Sequence, residues 1–153
     1  MATSSQYCTF VLDGLFFGVE VHKVQEVIRY QEMTHVPLAS RVIRGLINLR
    51  GQIVTAIDLR RRLGLPDRPV EQLPMNVVVR GDEGVVSLLV DEIGDVQAVD
   101  SGCFERVPET LQGPARSLVQ GVYKLKDRLL LILDTERAIH VSAKDDEAAI
   151  CPA

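Results

Sequence analysis

The sequence predicts an all-β protein built as two small five-stranded barrels packed side by side. Three observations lead there. The chain repeats itself, its apolar runs are short and bounded by turn residues, and a flat sheet of so few strands would leave its edges open. Residues 42–61, centred on Gly45-Leu46-Ile47-Asn48-Leu49-Arg50-Gly51, return at 118–137, with Gly45, Leu49, Asp58 and Arg61 matched by Gly121, Leu125, Asp134 and Arg137 at an offset of 76. Gly18, Val19, Val24, Glu26 and Val27 match Gly84, Val85, Val90, Glu92 and Ile93 at an offset of 66, and Val36-Pro37 matches Val107-Pro108 at 71. Two similar halves predict two similar lobes, residues 7–64 and 76–139. Residues 64–75, with Pro66, Pro69 and Pro74, are the expected linker, and 140–153 a tail.

Residues 7–12 and 15–21 are β-branched and aromatic runs around Asp13-Gly14, a strong hairpin signal. Residues 24–28 predict a third strand. Pro37 breaks regular structure, and 38–43 has room for a helical turn. Residues 45–49 and 52–57 predict a strand pair, after which Asp58 caps a short helix over 59–63 that Gly64 stops. The second half repeats the plan: strands at 76–80 and 85–90 around the turn at 81–84, a third at 96–99, and a loop bracketed by Pro108 and Pro114. A closing pair follows at 119–126 and 129–133, with Asp134 as a second cap. Leu129-Leu130-Leu131-Ile132-Leu133 also fits a buried helix, and the β-rich counterpart Ile53-Val54-Thr55-Ala56-Ile57 decides for a strand. An apolar seam between the barrels is the expected groove for a partner's helix.

At 153 residues, 46% hydrophobic and 25% charged, the composition is globular. No apolar run reaches the ~20 residues needed to cross a bilayer, and the first residues lack the basic and apolar regions of a signal peptide. Cys8, Cys103 and Cys151 are scattered, which fits reduced thiols in a cytoplasm. Residues 41–68 hold seven arginines against Asp58 and Asp67, a local +5 that leaves −9 for the rest of a chain of net charge −4. Such a map suits either an acidic partner or a solvated face.

Catalytic chemistry is not indicated. There is no nucleophile elbow and no phosphate-cradling glycine loop. His22, His35 and His140 stand apart from other ligand residues, so no metal or other cofactor is expected. Asp91 and Glu92 are adjacent and would point to opposite faces of a strand.

Several elements together carry a family resemblance. They are Phe17-Gly18-Val19-Glu20-Val21, Val24-Gln25-Glu26-Val27-Ile28, Val36-Pro37, Arg44-Gly45-Leu46-Ile47-Asn48-Leu49-Arg50-Gly51, Ile57-Asp58-Leu59-Arg60 and Leu89-Val90-Asp91-Glu92-Ile93. The chain from about residue 6 to 139 resembles the CheW family of bacterial chemotaxis coupling proteins, as one CheW-like domain over 7–139. The resemblance implies two SH3-like five-stranded barrels and a non-catalytic adaptor. Its implied partners are the regulatory domain of a CheA-type histidine kinase and the cytoplasmic hairpin tips of chemoreceptors. The implied setting is a cytoplasmic monomer recruited to membrane-associated arrays.

The family's receptor-contacting and signalling positions fall on Val24, Glu26, Val27, Gly45 and Arg50. Val24 and Val27 would supply apolar surface or core. Arg50 would make polar contacts or pair with Glu26, since guanidinium is a planar fork of donors. Gly45 recurs as Gly121 and Glu26 as Glu92, which leans both toward structure, whereas Arg50-Gly51 becomes Lys126-Asp127. Kinase contact is expected at barrel ends and strand edges, with Arg60, Arg61 and Arg62 as candidates. One rival reading is a nucleic-acid-binding barrel using 41–68, against which net acidity and 5% aromatic content count. Another, an enzyme centred on Cys8 or a carboxylate, finds no supporting spacing.

Overall fold

The computed structural model describes residues 4–82, 84–126 and 128–140. Glu83 of the expected turn, Asp127, Cys151 and the acidic tail lie outside the described residues. In chain order the described elements are β1 (Ser4–Leu12), β2 (Leu15–Glu20), β3 (Val24–Ile28), β4 (Ile43–Leu49), β5 (Gln52–Asp58) and α1 (Leu59–Arg62). Then come β6 (Met75–Gly81), β7 (Gly84–Val90), β8 (Glu92–Asp100), β9 (Phe104–Glu105), α2 (Pro114–Leu118), β10 (Val119–Lys124), β11 (Leu129–Leu133) and α3 (Thr135–Ile139). Residues 38–42 form turns and a bend rather than a helix, and Ile43 already belongs to β4. The loop between Pro108 and Pro114 leads into α2, where Pro114 opens the helix at a position that has no backbone bond to lose.

The strands form two sheets, ordered β8-β1-β2-β11-β10-β9 and β3-β6-β7-β5-β4. In the first, β8 runs through a 3-10 turn at Ser101–Cys103 into β9, which pairs with β10, so the two ends of the sheet meet. In the second, the chain leaving β3 returns at Thr34, which exchanges two 2.8 Å backbone hydrogen bonds with Leu46 of β4. These are the two predicted barrels, and closure removes their edges.

The assignment of each half to its own barrel does not hold. Hairpin β1–β2, from the first half, joins strands β8 to β11 through β1·β8 and the parallel pair β2·β11. Hairpin β6–β7 likewise completes the other barrel through β3·β6 and β5·β7. The halves exchange their hairpins. A repeat makes the two copies of each edge equivalent, so the pattern says which edges pair but not which copy supplies the partner.

Register also corrects the upstream alignment. The hairpin-closing pair Leu12↔Leu15 corresponds to Gly81↔Gly84, 69 positions on. Phe10 and Val79 are equivalent at that offset, and they pair with Ile93 and Val24. The counterpart of Val24 is therefore Ile93 rather than Val90, and that of Glu26 is Asp95 rather than Glu92. The later offset of 76 stands: Thr34 meets Leu46 as Glu105 meets Val122.

Three apolar clusters form among the described residues. Ile47, Val54, Ala56, Val78 and Leu89 occupy one barrel, and Tyr7, Val99, Tyr123, Leu130 and Ile132 the other. The largest lies between them and includes Phe10, Phe17, Val19, Ile57, Val77, Leu88, Val90, Leu131 and Leu133. The expected open seam is thus packed by the chain itself. Strands flanking it are buried on both faces, which is why β11 reads as an unbroken apolar run without alternation.

Candidate functional site

The β4–β5 hairpin turns on Arg50 and Gly51, with φ of 52° and 90°. Two left-handed residues give the tight turn whose twist matches the flanking strands. Asn48 Oδ1 accepts the Gly51 N–H at 2.8 Å and braces it. Glycine or asparagine suits the first turn position better than arginine, so Arg50 is held there at a local backbone cost of about 1 kcal/mol. Its guanidinium donates through Nη2 to Glu26 Oε2. Arg50 is largely exposed and the Glu26 side chain largely covered, so the pair ties β3 to the hairpin tip and still presents a cation outward.

The five expected residues part ways around this pair. Val27 is exposed on β3, whereas Val24 is half-buried and packs on the central core. Gly45 is buried where β4 passes the returning chain: a Cβ there would lie 2.6 Å from the Thr34 carbonyl oxygen. Gly121 passes Glu105 in the same way, also at 2.6 Å. Gly45 therefore serves barrel closure. Ile53, three residues past Arg50, is 61% exposed and adds apolar surface that the sequence reading passed over. Its position in an ordinary strand run gave no distinguishing signal.

Arg60 departs from the expected surface role. It is 6% exposed, and its Nε donates to both Asp91 oxygens at 2.9 and 3.1 Å. Arg68, also buried, donates to Asp91 at 3.2 Å, and the Asp13 N–H does so at 2.9 Å. Burial pushes the Asp91 carboxyl up. Hydrogen bonds from Arg60 and Asp13, with both guanidinium charges, overcome that and hold it below the usual carboxylate range. Asp58 caps α1 through the Arg60 and Arg61 N–H groups and receives Arg44 Nη1 at 3.2 Å. Arg61 is engaged by Asp67 and the Arg41 carbonyl, and Arg62 by the carbonyls of Arg137, Ala138 and His140. The arginine run thus fastens α1 to the linker and to α3.

Among the described residues, no group of three or more His, Cys, Asp or Glu is placed to hold a metal ion. No described helix is long and apolar enough to cross a membrane.

The architecture is that of a paired SH3-like barrel protein with a braced, charged hairpin tip. Residues 6–143 match the family model described as the CheW-like domain, and the chain belongs to that family. It is 30% identical over 137 residues to chemotaxis protein CheW of Bacillus subtilis, covering 90% of this chain and 88% of that protein. It is 28% identical over 134 residues to the CheW of Klebsiella aerogenes, covering 88% and 81% respectively. The crystal structure of the scaffolding protein TtCheW from Thermoanaerobacter tengcongensis superposes with a TM-score of 0.82 at 26% identity, covering 94% of this chain and 97% of that one.

Proposed function

We propose that the chain is a non-catalytic adaptor that couples chemoreceptors to a CheA-type histidine kinase, working in the cytoplasm at receptor arrays and monomeric when alone. Residues 7–139 act as one unit, because each barrel needs strands from both halves. The receptor's hairpin tip meets the surface around Arg50, Glu26, Val27 and Ile53. Val24 and Gly45 support that surface from within.

The observation that carries this reading is Arg50: an exposed cation kept in a left-handed turn and aimed by Glu26, in a chain whose relatives are chemotaxis proteins. An exposed ion pair of this kind adds only ~0–1 kcal/mol of stability. Arg50→Ala should therefore melt within a few degrees of the parent yet lose capture of a receptor hairpin fragment, or activation of the kinase in reconstituted arrays. Full coupling by a folded Arg50→Ala protein would refute the assignment.

A further inference from the structure

The exchange of hairpins makes the surface between the two halves of the chain one that a second copy can fill. The pairs β1·β8, β2·β11, β3·β6 and β5·β7 each join strands on opposite sides of the linker. Phe17 and Ile57 of the first half share the central core with Leu88 and Leu131 of the second. The buried charges follow the same rule: Asp91 of the second half receives Arg60 Nε and the Asp13 N–H of the first. None of these contacts requires the two halves to belong to one chain.

The covalent connection is weakly shaped where it crosses over. Up to Arg68 the linker is fastened, with Arg68 Nε donating to Asp91 at 3.2 Å and Asp58 3.6 Å from its Nη1. Beyond Arg68 the chain makes a turn, in which the Gln72 N–H donates to the Pro69 carbonyl at 3.0 Å. That segment stands clear of the barrels: Val70 is 96% exposed and Leu73 61%. Pro69 and Pro74 bias the residues before them toward extended backbone. Straightening 69–74 therefore sacrifices little more than one turn.

We propose that the chain exchanges halves with a second copy of itself: residues 69–74 straighten, and the first half of each chain completes its barrels with the second half of the other. Contacts between halves are the same in both forms and cancel, so the balance rests on the turn and on concentration. A short linker holds its own halves at an effective concentration in the millimolar range, which keeps the dilute protein monomeric. Concentrated chains, or a hinge biased straight, favour the exchanged dimer. In that dimer β3, which carries Glu26, is backed by β6 of the second copy, so two Arg50 surfaces are presented and both chains build each one. The inference rests on the strand order and stands apart from the receptor reading.

The test is refolding from urea at high and low protein concentration, followed by size-exclusion chromatography with light scattering. Gln72→Pro removes the donor of the turn and biases Glu71 toward extended backbone, and should raise the dimer fraction about tenfold over the parent at equal concentration. Val70→Pro suits the second position of the same turn and should lower that fraction. Circular dichroism melts verify folding. If Gln72→Pro fails to fold, the parent at high concentration must give the dimer and Val70→Pro must reduce it. In dimers refolded from an equal mixture of isotope-labelled and unlabelled chains, isotope-filtered nuclear Overhauser spectra should connect Phe17 of one chain with Leu131 of the other. No dimer from folded Gln72→Pro, equal dimer fractions in all three proteins, or a dimer lacking the Phe17–Leu131 contact between chains would overturn the proposal.

Discussion

The β4–β5 hairpin closes on Asp58, the last residue of β5, and its copy β10–β11 leads directly into Asp134. Both aspartates start a short helix by accepting backbone N–H groups. There the likeness stops. Asp58 is buried and shared among three arginines, whereas Asp134 is partly exposed and, among the described residues, adds an Arg137 contact at 3.7 Å. The hairpin tips differ as well. Arg50 projects and pairs with Glu26, while Arg128, past the second turn, places its guanidinium carbon over the Phe16 ring, 4.2 Å from its centre. Both cations are exposed, but a carboxylate holds one and an aromatic ring the other. Duplication supplied the frame twice, and the charged network was built on one copy alone.

The comparison breaks hardest at Asp91, which holds that network from the junction where β7 of one sheet passes into β8 of the other. Asp91→Ala leaves Arg60 and Arg68 buried without their carboxylate, at a cost of about 3–5 kcal/mol. Thermal denaturation should fall by about 10 °C or more. Loss of less than a few degrees would show that the cluster is not what anchors the linker.

The same group sets an acid limit. Its folded carboxyl titrates below the usual range, so its contribution is fully present above about pH 4 and is lost as pH falls through the lower folded value. Urea midpoints should drop as pH falls below the ordinary carboxylate range, and the drop should be shallower in Asp91→Asn. Parallel curves for the two proteins would remove Asp91 from the account.

Gly45→Ala and Gly121→Ala test whether the two closures are equivalent. Each places a methyl 2.6 Å from a carbonyl oxygen, and each should cost about 1–3 kcal/mol by chemical denaturation. If only Gly45→Ala impairs partner binding at equal stability loss, Gly45 matters for position as well as packing. The smallest stability effect is expected at the hairpin tip. Arg50→Asn relieves the left-handed strain and should leave the protein as stable or up to ~1 kcal/mol more so, while reducing receptor coupling. A stabilised variant with intact coupling would separate the strained turn from function.

Much of the fold was legible because its signals are local. Asp13-Gly14 marked a hairpin, Asp58 and Asp134 marked helix starts, and the repeat resolved β11, whose two buried faces erase the alternation a strand normally shows. What escaped was non-local. Nothing near Arg60 announces that its carboxylate lies 31 residues away, so an internal tie read as surface charge. The shifted upstream alignment had the same root: short valine-rich segments match at several offsets, and only strand pairing selects one. Within the candidate site, Arg50 and Glu26 were legible as a pair, but Val24 and Val27 could not be told apart until the pleat showed which one faced out.

The crossed hairpins also bear on biogenesis. A nascent chain emerges with β1 and β2 long before β8 and β11, and the contact of Phe17 with Leu131 closes a loop spanning most of the polypeptide. Such pairings are slow to form, and until then the early hairpin has an open side. Cutting the backbone between Pro66 and Pro74 would therefore release no autonomous fragment. The two pieces would have to find each other, as complementary parts of one reconstituted molecule.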